Sequence, residues 1–115
     1  MTKDLERLAR LAAMIRETEL SRLAALAAER RRIGSDMADL RARMSETTRR
    51  PGLDGARRAG ADAQWQKWCW LEMAALSQGA ARIAADEAAQ IPAARRAFGR
   101  AEALSSLVHR NRAKH

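Results

Sequence analysis

Arg49-Arg50-Pro51-Gly52-Leu53-Asp54-Gly55 interrupts a chain that otherwise favours helix along its length. Arg50 precedes a proline, which disfavours helix at that residue, and Pro51-Gly52 is a turn signal. Asp54 is placed to cap the next helix. On each side lies a long pattern rich in Ala, Leu and Arg, and the two patterns are near mirror images about Leu53. Before the loop, apolar or small residues recur at Met37, Ile33, Leu26, Leu23, Ile15, Ala12, Leu8 and Leu5. After it they recur, at matching distances from Leu53, at Cys69, Met73, Ala80, Ile83, Ile91, Ala94, Phe98 and Ala101. Folding the chain at the loop lays one stripe on the other. The prediction is an all-α fold, a long antiparallel two-helix coiled-coil hairpin that makes one unit of residues 1–115. Helix 1 spans about 2–47, the loop about 48–54 and helix 2 about 55–112.

Thr2 can cap helix 1, and Asp4 and Glu6 suit its positive N-terminal end. Along this helix the stripe alternates steps of three and four, except for two successive fours from Ile15 through Glu19 to Leu23. Helix 2 has the same irregularity through Glu87. Such stutters locally unwind a supercoil, and the mirror pairing sets both at one level. Pro92 removes a backbone donor and is expected to kink helix 2, or to split it near Gln90. Because the apolar phase continues past it, a kink is the favoured reading. At about 1.5 Å per residue, helix 1 would be roughly 65–70 Å long.

Composition bounds the function. The 115 residues carry 22 basic and 14 acidic side chains, a net charge of +8, with three Trp, one Phe and no Tyr. An alanine-dominated apolar content builds a thin seam between helices more readily than a thick core. The basic excess favours acidic partners without choosing among them. The charged N-terminus lacks an apolar signal core, the longest uncharged run (Met73 to Ala81) is too short to span a bilayer, and the lone Cys69 has no disulfide partner in the chain. These features point to a reduced, cytoplasmic setting.

Catalysis has little foundation. His109 and His115 sit near the C-terminal end, one Cys makes no metal-ligand spacing, and there is no Gly-rich phosphate loop or nucleophile elbow. No enzyme activity, cofactor or metal is expected. Trp65-Gln66-Lys67-Trp68-Cys69-Trp70 is the most distinctive stretch. With Cys69 in the seam, Trp68 and Trp70 flank it on opposite sides and Trp65 lies near its edge. The Trp side chains either close the loop end over Met37, Leu40 and Met44 or form a partner-docking patch; a membrane-interface role is a further reading. The arginine pairs Arg49-Arg50 and Arg57-Arg58 bracket the loop as a solvated tip or as a contact for an acidic group. Six basic residues against Glu102 make the segment from Ala88 to His115 basic. Arg30 falls in the seam opposite Leu76, its stem on apolar neighbours and its head in water. Glu19 and Glu87, with Arg16, Arg22 and Arg82 nearby, suit a register device better than a catalytic pair.

The whole chain resembles the FliJ family of flagellar export stalk proteins, whose relatives include the YscO group of injectisome type III secretion. The resemblance is carried by the overall plan and two ends: Leu5-Glu6-Arg7-Leu8-Ala9-Arg10-Leu11, and Ala94-Arg95-Arg96-Ala97-Phe98-Gly99-Arg100-Ala101-Glu102-Ala103-Leu104-Ser105-Ser106-Leu107. It implies a non-enzymatic stalk in a flagellar or related protein-export apparatus. The paired terminal ends would enter the hexameric export ATPase and the other end would reach the export gate protein. Leu8, Arg95, Arg96, Phe98 and Arg100 would then face the ATPase. Met37, Leu40, Trp65, Trp68 and Trp70 would lie toward the gate. Export chaperones are further implied partners, with peripheral contact at the inner membrane. Two other readings stand beside this one. The first is a generic coiled-coil adaptor or a homodimer forming a helical bundle, since two helices bury limited surface. The second is a basic nucleic-acid-binding hairpin, disfavoured because acids are interleaved with the arginines and no binding motif is present.

Overall fold

The computed structural model describes residues 2–49 and 55–114, with side chains at 2–47 and 60–114. The central loop residues 50–54, including Asp54 as a helix cap, and the side chains of Arg49, Arg50, Arg57 and Arg58 lie outside the described residues. Two helices account for the described chain except Lys114: α1, Thr2–Arg49, and α2, Gly55–Ala113. Among the described residues there is no strand, and no helix is long and apolar enough to cross a membrane. Asp4 lies in the first turn of α1, and Arg110 and Arg112 in the last turn of α2, each matching the sign of the helix end beside it. α2 runs through Pro92 without a break. The ring sits on an exposed part of the helix, so the split near Gln90 does not occur.

The antiparallel pair divides into two compact units. A terminal unit joins 1–28 to 85–115, and a loop-side unit contains 29–84. In the terminal unit the inward residues of α1 are Leu5, Ala9, Ala12, Arg16, Glu19, Leu23 and Leu26. Those of α2 are Glu87, Gln90, Ala94, Ala97, Ala101, Leu104 and Val108. Both series alternate threes and fours without interruption, a regular heptad seam. The successive fours at Glu19 and Glu87 are therefore absent. Choosing the large side chains Leu8, Ile15, Ile91 and Phe98 as seam positions creates those irregularities. All four are exposed, Leu8 at 53% and Phe98 at 50%, whereas Ala12, Ala94, Ala97 and Ala101 are buried.

The physical reason lies in side-chain size. At the level of Ala12, Ala94, Ala97 and Ala101 the seam is filled by methyl groups, and a larger side chain would not fit at those positions, while leucine returns to the seam at Leu5, Leu23, Leu26 and Leu104. Leu8, Ile15, Ile91 and Phe98 are displaced to the flanks. The same choice changes the register. Glu19 meets Gln90 rather than Glu87, and nearer the ends Glu6 meets Arg112.

The loop-side unit keeps larger residues inside. Ile33, Met37 and Leu40 on α1 face a series on α2 through Trp65, Cys69, Met73, Leu76, Ala80 and Ile83. Leu40 is 5% exposed and Cys69 is fully buried. Ile33 lies beside Gly79 rather than Met73: a Cβ built on that glycine would sit 3.4 Å from the Ile33 Cδ1. Arg30 is exposed, outside the seam position expected for it.

Candidate protein-docking surfaces

The alanine seam dictates the surface of the terminal unit. With small residues inside, α1 presents Leu8, Leu11 and Ile15 outward at helical spacing. These three line an open groove whose opposite wall is Ala97, Arg100, Ala103 and Leu104 of α2, with Ala12 at its floor. Its lining side chains are apolar except for Arg100. Leu8 and Arg100, both expected at an ATPase-facing end, are thus brought together. Arg95, Arg96 and Phe98 are exposed in the same unit but do not line this groove.

Leu11, Ile15 and Leu104 belong to the groove, and sequence reasoning does not single them out as site residues. The spacing of Leu8, Leu11 and Ile15 is visible in the sequence, yet it reads as part of one broad stripe until the seam phase is known. A second depression in the terminal unit is polar. Glu6, Arg10, Arg16 and Arg112 border it, over Ala9, Ala13 and Ala101.

Polar contacts pin the terminal unit in register. The Gln90 side-chain amide donates to the Glu19 carboxylate and, at 3.2 Å, to the Glu19 backbone carbonyl. Arg22 Nη1 donates to the other Glu19 carboxylate oxygen at 3.0 Å. Arg112 donates twice to Glu6 Oε1, at 2.9 and 3.2 Å. The carboxylate at 19 therefore bridges the helices through Gln90. Of the arginines expected around it, Arg22 makes this contact and Arg16 pairs with Glu17.

In the loop-side unit the Trp residues part company. Trp65 and Trp68, one turn apart, stack with centroids 5.2 Å apart and planes inclined by 18°. Trp68 is 44% exposed and forms one wall of a groove with Leu40, Leu76, Asp36, Asp39, Arg43 and Glu72. Trp70, 70% exposed, is rotated by about 200° from Trp68 at 100° per residue and is not in that groove. The expected patch of Met37, Leu40, Trp65, Trp68 and Trp70 is therefore not one surface. Leu40 belongs to the core, Met37 and Trp65 are half-buried, and the two exposed indoles leave the helix on opposite sides of Cys69.

The groove beside Trp68 has an acidic rim. Glu29 holds the Arg32 pKa above its ordinary value, first by a side-chain hydrogen bond and then by charge, with a smaller contribution from Asp36. Asp39 and Glu72 take part in no ion pair among the described residues.

In comparisons with known proteins, no family model, no curated protein and no solved structure matches the chain.

Proposed function

We propose that this chain is a non-enzymatic docking hairpin of a flagellar or related type III protein-export apparatus. In this reading it acts as a stalk between the hexameric export ATPase and the export gate. The observation that carries it is the inversion of the terminal unit. Alanines occupy the seam, while Leu8, Leu11, Ile15 and Phe98 are displayed outward together with Arg95, Arg96 and Arg100. Exposed large apolar side chains interspersed with arginine mark protein contacts. This is also the end that the sequence resemblance assigns to the ATPase. The gate-facing role falls to the loop-side unit, where Trp70 and Trp68 are the accessible aromatics.

The test is the hydrolysis rate of the purified export ATPase with increasing amounts of this protein, read alongside ring assembly by light scattering. Saturable stimulation with assembly is expected, reduced at least about tenfold in apparent affinity by Leu8→Asp or Phe98→Asp. Both positions are half exposed, so circular dichroism should show helix retained. Absence of stimulation by the native chain would overturn the ATPase role.

A further inference from the structure

The two units carry unlike grooves. The terminal groove is a leucine and isoleucine row, Leu8, Leu11 and Ile15, with a guanidinium at Arg100. The loop-side groove is an indole and leucine surface at Trp68 and Leu40, rimmed by Asp36, Asp39 and Glu72 against the cation of Arg43. Each supplies what the other lacks: exposed aliphatic side chains to cover an indole, and an arginine to meet carboxylates. Charge arranged in this way specifies partner and register. The acidic rim is a local feature within a chain of net charge +8, and the Arg100 cation at the terminal groove has the sign to meet it.

Area supplies the second argument. A folded monomer of 12.8 kDa exposes roughly 6,300 Å² by the usual size scaling, and this chain exposes 9037 Å². Among the described residues the buried apolar side chains are Ala12, Leu40, Cys69, Ala94, Ala97 and Ala101, mostly alanines, and each buried methyl contributes only about 0.8 kcal/mol. A stable protein interface removes about 1,200–2,000 Å² in total. The chain has that much surface in excess, with large apolar side chains standing in it.

We propose that two copies of this chain associate through these unlike grooves, the Leu8–Leu11–Ile15 row and Arg100 of one copy seating against Trp68, Asp39 and Glu72 of the other. The arginine lies over the carboxylates, and the aliphatic row covers the exposed face of Trp68. The pairing stands without the export reading. Association is read by mass and export docking by hydrolysis rate, so either can fail alone.

The test requires no other protein. The native full-length chain is followed by light scattering and analytical ultracentrifugation across a concentration series at low and high salt. Association is expected, weakening as salt rises. Arg100→Glu and Asp39→Arg each place like charges in contact and should weaken self-association at least about tenfold. Mixing the two variants makes two complementary contacts available: the new carboxylate at position 100 of one variant meets the new guanidinium at position 39 of the other, and the native Arg100 of the second meets the native Asp39 of the first. The mixture should therefore associate more tightly than either variant alone. Both sites are exposed, and unchanged helix content by circular dichroism separates lost association from lost folding. A native chain that stays monomeric throughout overturns the proposal. So does a dimer indifferent to both charge reversals, or a mixture no tighter than its components.

Discussion

At the scale of single residues, the contact that fixes register is Gln90 to Glu19. The amide reaches the carboxylate and the backbone carbonyl of the same residue, and the glutamate side chain is only 15% exposed. Gln90→Ala removes both bonds and leaves a largely buried carboxylate with Arg22 on its own helix and no amide from α2. A loss of about 1–3 kcal/mol is expected, read from urea unfolding at neutral pH. A change within about 0.3 kcal/mol, roughly the scatter of neutral surface substitutions, would mean that the bridge contributes nothing to stability. In the sequence, Glu19 stands out as a polar interruption suited to setting register. Its pairing with Glu87 comes from both being the polar members of mirror-image stripes. The true partner is hidden there because a glutamine beside Ile91 gives way to the isoleucine when positions are chosen by hydrophobicity.

At the scale of elements, the extent of the two helices is readable because it depends on strong, local signals. Alanine and leucine propensity persists on each side, and Pro51-Gly52 is the strong break between them. α1 ends at Arg49, two residues past its expected end, and α2 begins at the expected Gly55. The phase of the seam is not readable in the terminal unit. Ala9, Ala12 and Arg16 compete with Leu8, Ala12 and Ile15 for the same face, and a hydrophobic pattern prefers the leucine and isoleucine. What decides between them is the spacing of the two helices, a property of the pair rather than of either segment. In the loop-side unit Met37, Leu40, Cys69 and Met73 do face inward as the pattern expects, although Arg30 is exposed and Ile33 lies beside Gly79 rather than Met73.

This difference has a measurable counterpart. Ala97→Leu puts an isobutyl group where only a methyl fits and should force the terminal helices apart. The expected destabilisation is about 1–3 kcal/mol, seen as a lower midpoint in thermal melts. Leucine has nearly the helix propensity of alanine, so intrinsic helicity would not account for the loss. A melt unchanged or raised would show that the seam is loose enough to accept larger side chains.

At the scale of the whole molecule, the two units are held by different materials. The terminal unit relies on alanine methyl groups, half-buried leucines toward its ends, the Gln90–Glu19 bridge and the exposed Arg112–Glu6 pair. That ion pair is largely hydrated on the arginine side, with side chains 67% and 28% exposed, and contributes at most about 1 kcal/mol. The loop-side unit buries Leu40 and Cys69 against methionine, isoleucine and stacked indole. Architecture of this kind is legible because one break and two long periodic segments leave few alternatives. Docking chemistry is not, since it depends on which side chains the seam rejects, and that is decided only once the seam is placed.

The complete enclosure of the Cys69 sulfur has a further consequence. The chain has a single thiol, with none of its surface accessible in the closed hairpin. A disulfide reagent can reach it only when the helices part around position 69. Its modification rate under native conditions therefore times that opening, without an introduced label. Labelling should be slowed by orders of magnitude relative to urea-unfolded chain, and the ratio of the two rates gives the opening free energy directly. Labelling at the unfolded rate would contradict the enclosure. Placed between two indoles whose emission reports the same neighbourhood, the sulfur makes the hairpin a gauge of its own breathing.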